Sequence, residues 1–358
     1  MAPPVFLTFL LFSAMLCCHR RVAAAASGAS KFSALLVFGD STVDTGNNNY
    51  ISTPFAGNHP PYGQDLDGGA PTGRFSNGLL VPDFLVAALG IKQRCPPFLD
   101  PSLSDADVLT GIDFASAGSG YDDVTTSVSG VIPMSKQLEM FRSYLGRLEQ
   151  VAGAKKKATE IVKGALILIS AGTNDFVLNY YDIPTRRIQY TMDQYQDFLL
   201  QQVKGVIKQV YDLGGRRFAI AGLPPIGCTP AQMTAQRSQL SERVCVDEEN
   251  ANSVAYNGKL QALLAELSVS LPEGKIAYVN VYDPLLNMST LPHNYGLEET
   301  KRGCCGLGYV ESGPLCNRLS PICSDASKYM FFDAIHPTEN VYRILTKQIV
   351  DEVVPKLY

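Results

Sequence analysis

Ser33-Ala34-Leu35-Leu36-Val37-Phe38-Gly39-Asp40-Ser41 is the stretch from which the architecture can be read. A short apolar run that stops abruptly at a glycine reads as a buried strand, because strands covered on both faces lose the polar alternation of half-exposed ones. Three more runs share this character, at 165–170, 218–221 and 276–281, and the stretches between them carry helical patterns at 78–89, 190–213 and 247–267. In the last of these, Tyr256, Leu260, Leu263, Leu264 and Leu267 recur at helical spacing and form one apolar stripe. A final helix is expected over 338–354, with Thr338 as its N-cap. Apolar strands alternating with helices predict an α/β fold with a parallel sheet covered on both faces. Ligands in such sheets bind beyond the carboxyl ends of the strands, so the loops Gly-Asp-Ser-Thr, Ala-Gly-Thr-Asn-Asp and Gly-Leu-Pro-Pro-Ile-Gly are where chemistry is sought.

The flanking sequence bounds the setting. Residues 1–26 hold an apolar stretch from Val5 to Leu16, then His19-Arg20-Arg21 and a small-residue run to Ala26, which reads as a signal peptide. Residues 27–358 are expected to form one domain, since no linker, repeat or low-complexity break divides them. The formal charge of the whole chain is -4, and the segment removed carries Arg20 and Arg21 but no acid. A mildly acidic protein gains nothing from a phosphate backbone, so no nucleic-acid partner is expected. No later stretch is long and apolar enough for stable membrane insertion once the signal is gone. The expectation is a secreted, extracellular protein.

Cysteine usage points the same way. Beyond the signal region stand Cys95, Cys228, Cys245, Cys304, Cys305, Cys316 and Cys323. The cluster from 304 to 323 lacks the paired CxxC knuckles of a zinc site, which favours disulfides in an oxidising compartment. Cys228 is expected to pair with Cys245, and Cys304 and Cys305 with Cys316 and Cys323, leaving Cys95 as the free, labelled thiol. Asn287-Met288-Ser289 is a glycosylation sequon expected in a loop. Arg74 reads as one half of a structural ion pair, and Lys155-Lys156-Lys157 as a solvated helix start.

Histidine is scarce, which narrows the chemistry. His59 and His293 have no adjacent acid, whereas Asp333 precedes His336 by three residues. In a tight turn that spacing lets the carboxylate reach Nδ1–H, leaving Nε2 free to accept a proton from a serine. Ser41 at its strand end is the candidate nucleophile, although no Gly-x-Ser-x-Gly elbow is present. Gly118, in the turn 113–120, and the Asn174 side chain offer donors that, with the Ser41 amide, would surround a developing oxyanion.

Taken in order, Gly39-Asp40-Ser41, Gly118, Gly172-x-Asn174-Asp175 and Asp333-x-x-His336 resemble the four blocks of the GDSL esterase/lipase family, the SGNH hydrolases. The secreted plant branch is the most similar, through Phe38 to Asn48, Gly73-Arg74-Phe75-Ser76-Asn77-Gly78, Gly222 to Cys228, Cys304-Cys305-Gly306 and His336-Pro337-Thr338-Glu339. The resemblance implies a three-layer α/β/α flavodoxin-like sandwich around a parallel sheet of about five strands. It implies Ser41 as nucleophile, His336 and Asp333 as base and orienter, and Ser41, Gly118 and Asn174 as oxyanion donors, with Gly120 left as an alternative to Gly118. Two departures stand out: Thr42-Val43 replaces the Leu after the serine, and Phe332 stands where relatives often carry Trp, which would reshape a pocket wall. The reaction implied is hydrolysis of a small or polymeric ester through an acyl-enzyme, with no metal or organic cofactor and with activity falling as acid protonates His336. Acyl transfer to an alcohol, or a non-catalytic secreted binding protein on the same fold, are the other readings.

Overall fold

The computed structural model describes residues 31–235 and 243–358. The expected signal peptide, and with it the lower domain boundary, lies outside these residues. Four parallel strands form the main sheet in the order β1-β2-β3-β4: β1 (Leu35–Gly39), β2 (Leu166–Ser170), β3 (Arg217–Ala221) and β4 (Lys275–Val279). Their registers run without a break, from Leu35 opposite Leu166 to Ala221 opposite Val279. A segment at Asp113 stands where a fifth strand would lie on the free edge of β1. It is reduced to one bridge, with the Val37 amide donating to Ile112 O and the Phe114 amide donating to Val37 O.

Alternate side chains along each strand enter opposite cores, as the two-residue period of a strand requires. Leu36, Phe38, Ile167, Ile169, Phe218 and Ile220 pack on one face with Phe141, Tyr144, Ile207 and Leu260. Leu35, Val37, Leu166, Leu168, Ala219 and Val279 pack on the other with Leu85, Tyr342 and Ile349. Each large apolar side chain so buried is worth about 1.5–3 kcal/mol over leaving it in water. The first face is covered by the helices Met134–Ala152, Met192–Asp212 and Asp247–Ser270, and the second by Val81–Ala88 and Glu339–Gln348. The result is a three-layer α/β/α arrangement.

Several local expectations change. The C-terminal helix gives way to a π turn at Ile349–Val353 and a 3-10 turn at Val354–Leu357. Thr338 sits at the N-cap, but its hydroxyl donates to Tyr329 O, 2.8 Å away, instead of capping. Asn287 lies in the helix Tyr282–Thr290, not in a loop, though its side chain is exposed. The helix Met134–Ala152 was not among the expected elements.

Cys228 is joined to Cys245, Cys304 to Cys323, and Cys305 to Cys316. Among the described residues, Cys95 is the free cysteine, and it is fully buried. Its thiol is therefore shielded from reagents in the folded protein, contrary to the expectation that it would be the one labelled. The last two disulfides staple residues 304–323 beside a small parallel sheet of β5 (Glu299–Gly303) and β6 (Tyr329–Phe331). The Cys304 and Cys305 amides donate to Phe331 O and Phe332 O, so the stapled loop is anchored where β6 runs into Asp333.

Candidate active site

β1 delivers Ser41 at the carboxyl end of the sheet. Gly39 closes the strand with φ 147°, and a Cβ there would lie 2.0 Å from Ser170 O, so only glycine lets β1 and β2 approach this closely. Asp40 then builds the turn: its Oδ1 accepts from the Thr42 amide at 3.0 Å and the Thr42 hydroxyl at 2.8 Å. Burial pushes the Asp40 carboxyl above its ordinary range, and the Thr42 contacts oppose that shift.

From the far end of the chain, residues 333–337 form the turn between β6 and the last helix. His336 Nε2 lies 2.8 Å from Ser41 Oγ, and His336 Nδ1 lies 2.7 Å from Asp333 Oδ2. All three side chains are buried or nearly so. Asp333 Oδ1 accepts from the amides of Ile335 at 2.8 Å and His336 at 2.7 Å, which explains the spacing: the carboxylate closes the turn that presents the imidazole. Burial acts to raise the Asp333 carboxyl, but the charge and hydrogen bonds of His336 prevail and hold it below its ordinary value.

Two further partners of Asp333 have no signal in the sequence. Tyr62 donates its hydroxyl to Oδ2 at 2.7 Å, and Ser312 does so at 3.0 Å. The Gly313 amide donates to the Tyr62 oxygen at 2.8 Å, so the disulfide-stapled loop closes over the carboxylate. Burial, and next the Asp333 charge, raise the Tyr62 phenol well above its ordinary value, so it remains a donor. Phe332 is fully buried against Tyr62, with ring centroids 5.6 Å apart, behind the carboxylate. It is not a wall of the cleft, so the absence of Trp there reshapes nothing the substrate would meet; Phe331 takes that place.

Gly118 and Asn174 complete the rim. Two apolar clefts meet at Ser41, Asn174 and His336, one running between the sheet end and the last helix past Val281, Met330 and Leu345. The other is bounded by Phe55, Phe75, Gly118, Val177 and Pro314. Gly118 faces this second cleft, whereas Gly120 is packed so tightly on Asp175 that a Cβ would lie 2.1 Å from its Oδ1. Among the described residues, the Ser41 and Gly118 amides donate to no protein acceptor. Asn174 Nδ2 spends one hydrogen on Ser119 O at 2.9 Å and keeps the other. Asp44 and Asn48 hold the Gly118 turn from below: Asp44 Oδ2 accepts from the Ala117 amide at 2.9 Å, and Asn48 Nδ2 donates to Ala117 O at 2.9 Å. Burial raises the Asp44 carboxyl to about 6, and the backbone amides of Ala117, Gly46, Asn47 and Asn48 oppose the shift.

The other candidates lie elsewhere. His59 stacks edge-on against Tyr62, and His293 is exposed in a 3-10 turn. Arg74 forms a buried two-point pair with Asp83, at 2.7 and 2.8 Å, away from both clefts. Lys155, Lys156 and Lys157 open a helix and are exposed. Among the described residues, no group of three or more His, Cys, Asp or Glu side chains is placed to hold a metal ion.

Comparison with known proteins agrees with the order of the blocks. The sequence profile described as GDSL-like Lipase/Acylhydrolase matches residues 35–349. GDSL esterase/lipase At2g31550 of Arabidopsis thaliana is 49% identical over 330 residues, covering 91% of each chain. GDSL esterase/lipase At2g30220 of the same plant is 51% identical over 316 residues, covering 88% of each. Among solved structures, LAE5, an α/β hydrolase enzyme from the metagenome of Lake Arreo, Spain, overlays with a TM-score of 0.41 at 11% identity. That overlay covers 92% of this chain and 100% of the other, and is too loose to bear on fold or function.

Proposed function

The chain belongs to the GDSL-like lipase/acylhydrolase family and is a hydrolase of ester bonds, and from that premise we propose that it is a secreted serine esterase working through an acyl-enzyme on Ser41. The observation that carries the reading is the unbroken chain from Ser41 Oγ through His336 to Asp333, at 2.8 and 2.7 Å. Ser41 attacks the ester carbonyl while His336 Nε2 takes its proton, and Asp333 holds Nδ1–H and stabilises the imidazolium that forms. The oxyanion gathers the Ser41 and Gly118 amides and the remaining Asn174 N–H. Each such donor is worth about 10²–10³ in rate. His336 then returns the proton to the leaving alcohol and activates the water that opens the acyl-enzyme.

Three disulfides fit an oxidising compartment, and among the described residues no helix is long and apolar enough to cross a membrane. The apolar walls of both clefts suit an ester with carbon-rich groups on its acyl and alcohol sides.

The test is covalent labelling with diethyl p-nitrophenyl phosphate, a serine-directed reagent. The reading expects stoichiometric loss of p-nitrophenyl butyrate hydrolysis with the adduct on the peptide carrying Ser41. Inactivation with the adduct on any other residue would overturn it. Product analysis in the presence of an alcohol separates hydrolysis from transfer: free acid alone supports esterase, and a new ester supports an acyltransferase.

A further inference from the structure

Gln137 lies on the helix Met134–Ala152 and is fully buried; among the described residues, its side chain's only hydrogen bond near its own helix is a long one, from Nε2 to Ile132 O at 3.4 Å. Its side-chain amide pairs with one backbone unit of β1: the Gly39 amide donates to Oε1 at 2.9 Å, and Nε2 donates to Gly39 O at 2.9 Å. Nε2 also reaches Ser119 Oγ at 3.1 Å, and that hydroxyl donates to Gly39 O at 2.7 Å.

The reason lies in the truncated fifth strand. Up to Val37 the segment 112–114 pairs with the β1 edge through both its N–H and C=O groups. At Gly39 the ladder is half kept, since the Ser116 amide still donates to Gly39 O at 3.0 Å. The chain has by then turned away to build the Ala117-Gly118 loop, and the carbonyl that should accept from Gly39 N–H is gone. Gln137 supplies it. A glutamine amide carries one acceptor and one donor group side by side, as a strand's peptide groups do, so it can stand in for the missing rung.

This rung sits between all three oxyanion donors. Gly39 is two residues before Ser41. Ser119 follows Gly118 directly, and its carbonyl accepts from Asn174 Nδ2. We propose that Gln137 is the positioning residue of the oxyanion site, clamping Gly39 to Ser119 so that the Ser41 amide, the Gly118 amide and Asn174 converge on one point. The inference rests on the esterase reading above, and it concerns where the donors are held, not whether Ser41 reacts. A misplacement of about 1 Å at a reacting centre costs on the order of 10²-fold in rate.

Gln137→Met keeps the length and burial but loses both hydrogen-bonding ends. With p-nitrophenyl butyrate, kcat is expected to fall about 10–100-fold, by the same positioning argument, with KM within about threefold. Inactivation by diethyl p-nitrophenyl phosphate, whose transition state also loads the oxyanion site, should slow in parallel. Gln137→Glu is the rescue: protonated, it offers the same acceptor and donor, and ionised, it turns a negative charge on Gly39 O. Burial raises such a carboxyl, so this variant should be active at lower pH and lose kcat on an alkaline limb that the wild type lacks. Should Gln137→Met fail to fold, Ser119→Ala removes the second half of the clamp, with an expected fall in kcat of about three- to tenfold, a fraction of the same positioning loss. Folded Gln137→Met, or Ser119→Ala in its place, with wild-type kcat would overturn the proposal, as would Gln137→Glu with the wild-type pH profile. Ser41→Ala run alongside separates the two readings: loss of activity there with wild-type kcat in the Gln137 variants defeats the clamp alone.

Discussion

Asp333→Asn is the perturbation on which the geometry makes its sharpest demand. The carboxylate accepts from two backbone amides on Oδ1 and from Tyr62, Ser312 and His336 on Oδ2. An asparagine has one oxygen, and either orientation fails. With its oxygen toward the backbone, its NH2 faces the imidazole, and His336 must shift its proton to Nε2 to accept there. That proton then points at Ser41 Oγ, and the base is gone; the corresponding change in another enzyme's Ser-His-Asp site costs about 10⁴ in kcat. With its oxygen toward the imidazole, the Ile335 and His336 amides lose their acceptor, at about 1–3 kcal/mol for the buried His336 amide and less for the part-exposed Ile335 one. The turn that presents His336 would loosen. The expected outcome is a fall in kcat of about 10³–10⁴ on p-nitrophenyl butyrate, with a lowered melting temperature but a cooperative transition. A folded Asp333→Asn protein within tenfold of wild-type kcat would refute the role assigned to this carboxylate.

Arg74→Met should cost about 3–5 kcal/mol in urea unfolding, because it leaves the Asp83 charge buried with only the Leu80 and Cys95 amides. The kcat of its folded fraction should be unchanged, since Arg74 lines neither cleft. Among the described residues, the buried Glu249 has no partner for either carboxylate oxygen, and burial, then the charges of Asp182 and Glu248, raise it to about 8. A carboxyl raised in the folded state binds more protons there than in the unfolded state, so its contribution to stability is full below about pH 4.5 and is lost as pH rises toward 8. Glu249→Gln should therefore gain melting temperature over wild type above pH 8 and show little gain at pH 4; an equal difference at both ends would refute the assignment. Cys95 should resist maleimide labelling in the native protein and react once unfolded without reductant, while the six disulfide cysteines stay unlabelled. Labelling of any of those six under these conditions would contradict the pairing.

The strands were legible because each is an apolar run short enough to span a buried sheet, and β1 to β4 fall within two residues of the runs read from sequence. The fifth strand shrank to one bridge because its edge gives way to the loop carrying Gly118. The helix Met134–Ala152 carries Leu138, Phe141, Tyr144 and Leu148 at helical spacing, so its pattern was present in the sequence though it was not among the predicted elements. Gln137 on that helix was not legible, since its meaning depends on Gly39, 98 residues away. Tyr62 and Ser312 were hidden for the same reason, because nothing in their own neighbourhoods signals a carboxylate brought over by a distant turn. Asp333 and His336 could be singled out because a local turn fixes their relation. Asn287 was misplaced because a sequon suggests a loop, while Leu285 and Met288 pack inward and draw the segment into a helix.

Ser41 Oγ as the attacking atom is the assignment from which every other role at the site follows. The direct measurement is ester hydrolysis by Ser41→Ala, with folding checked by circular dichroism and the acyl-enzyme sought by intact mass after rapid acid quench. Ser41→Ala should lose at least about 10³ in kcat, and the wild type should carry an acyl adduct that the variant lacks. A well-folded Ser41→Ala protein with wild-type ester hydrolysis would contradict the assignment.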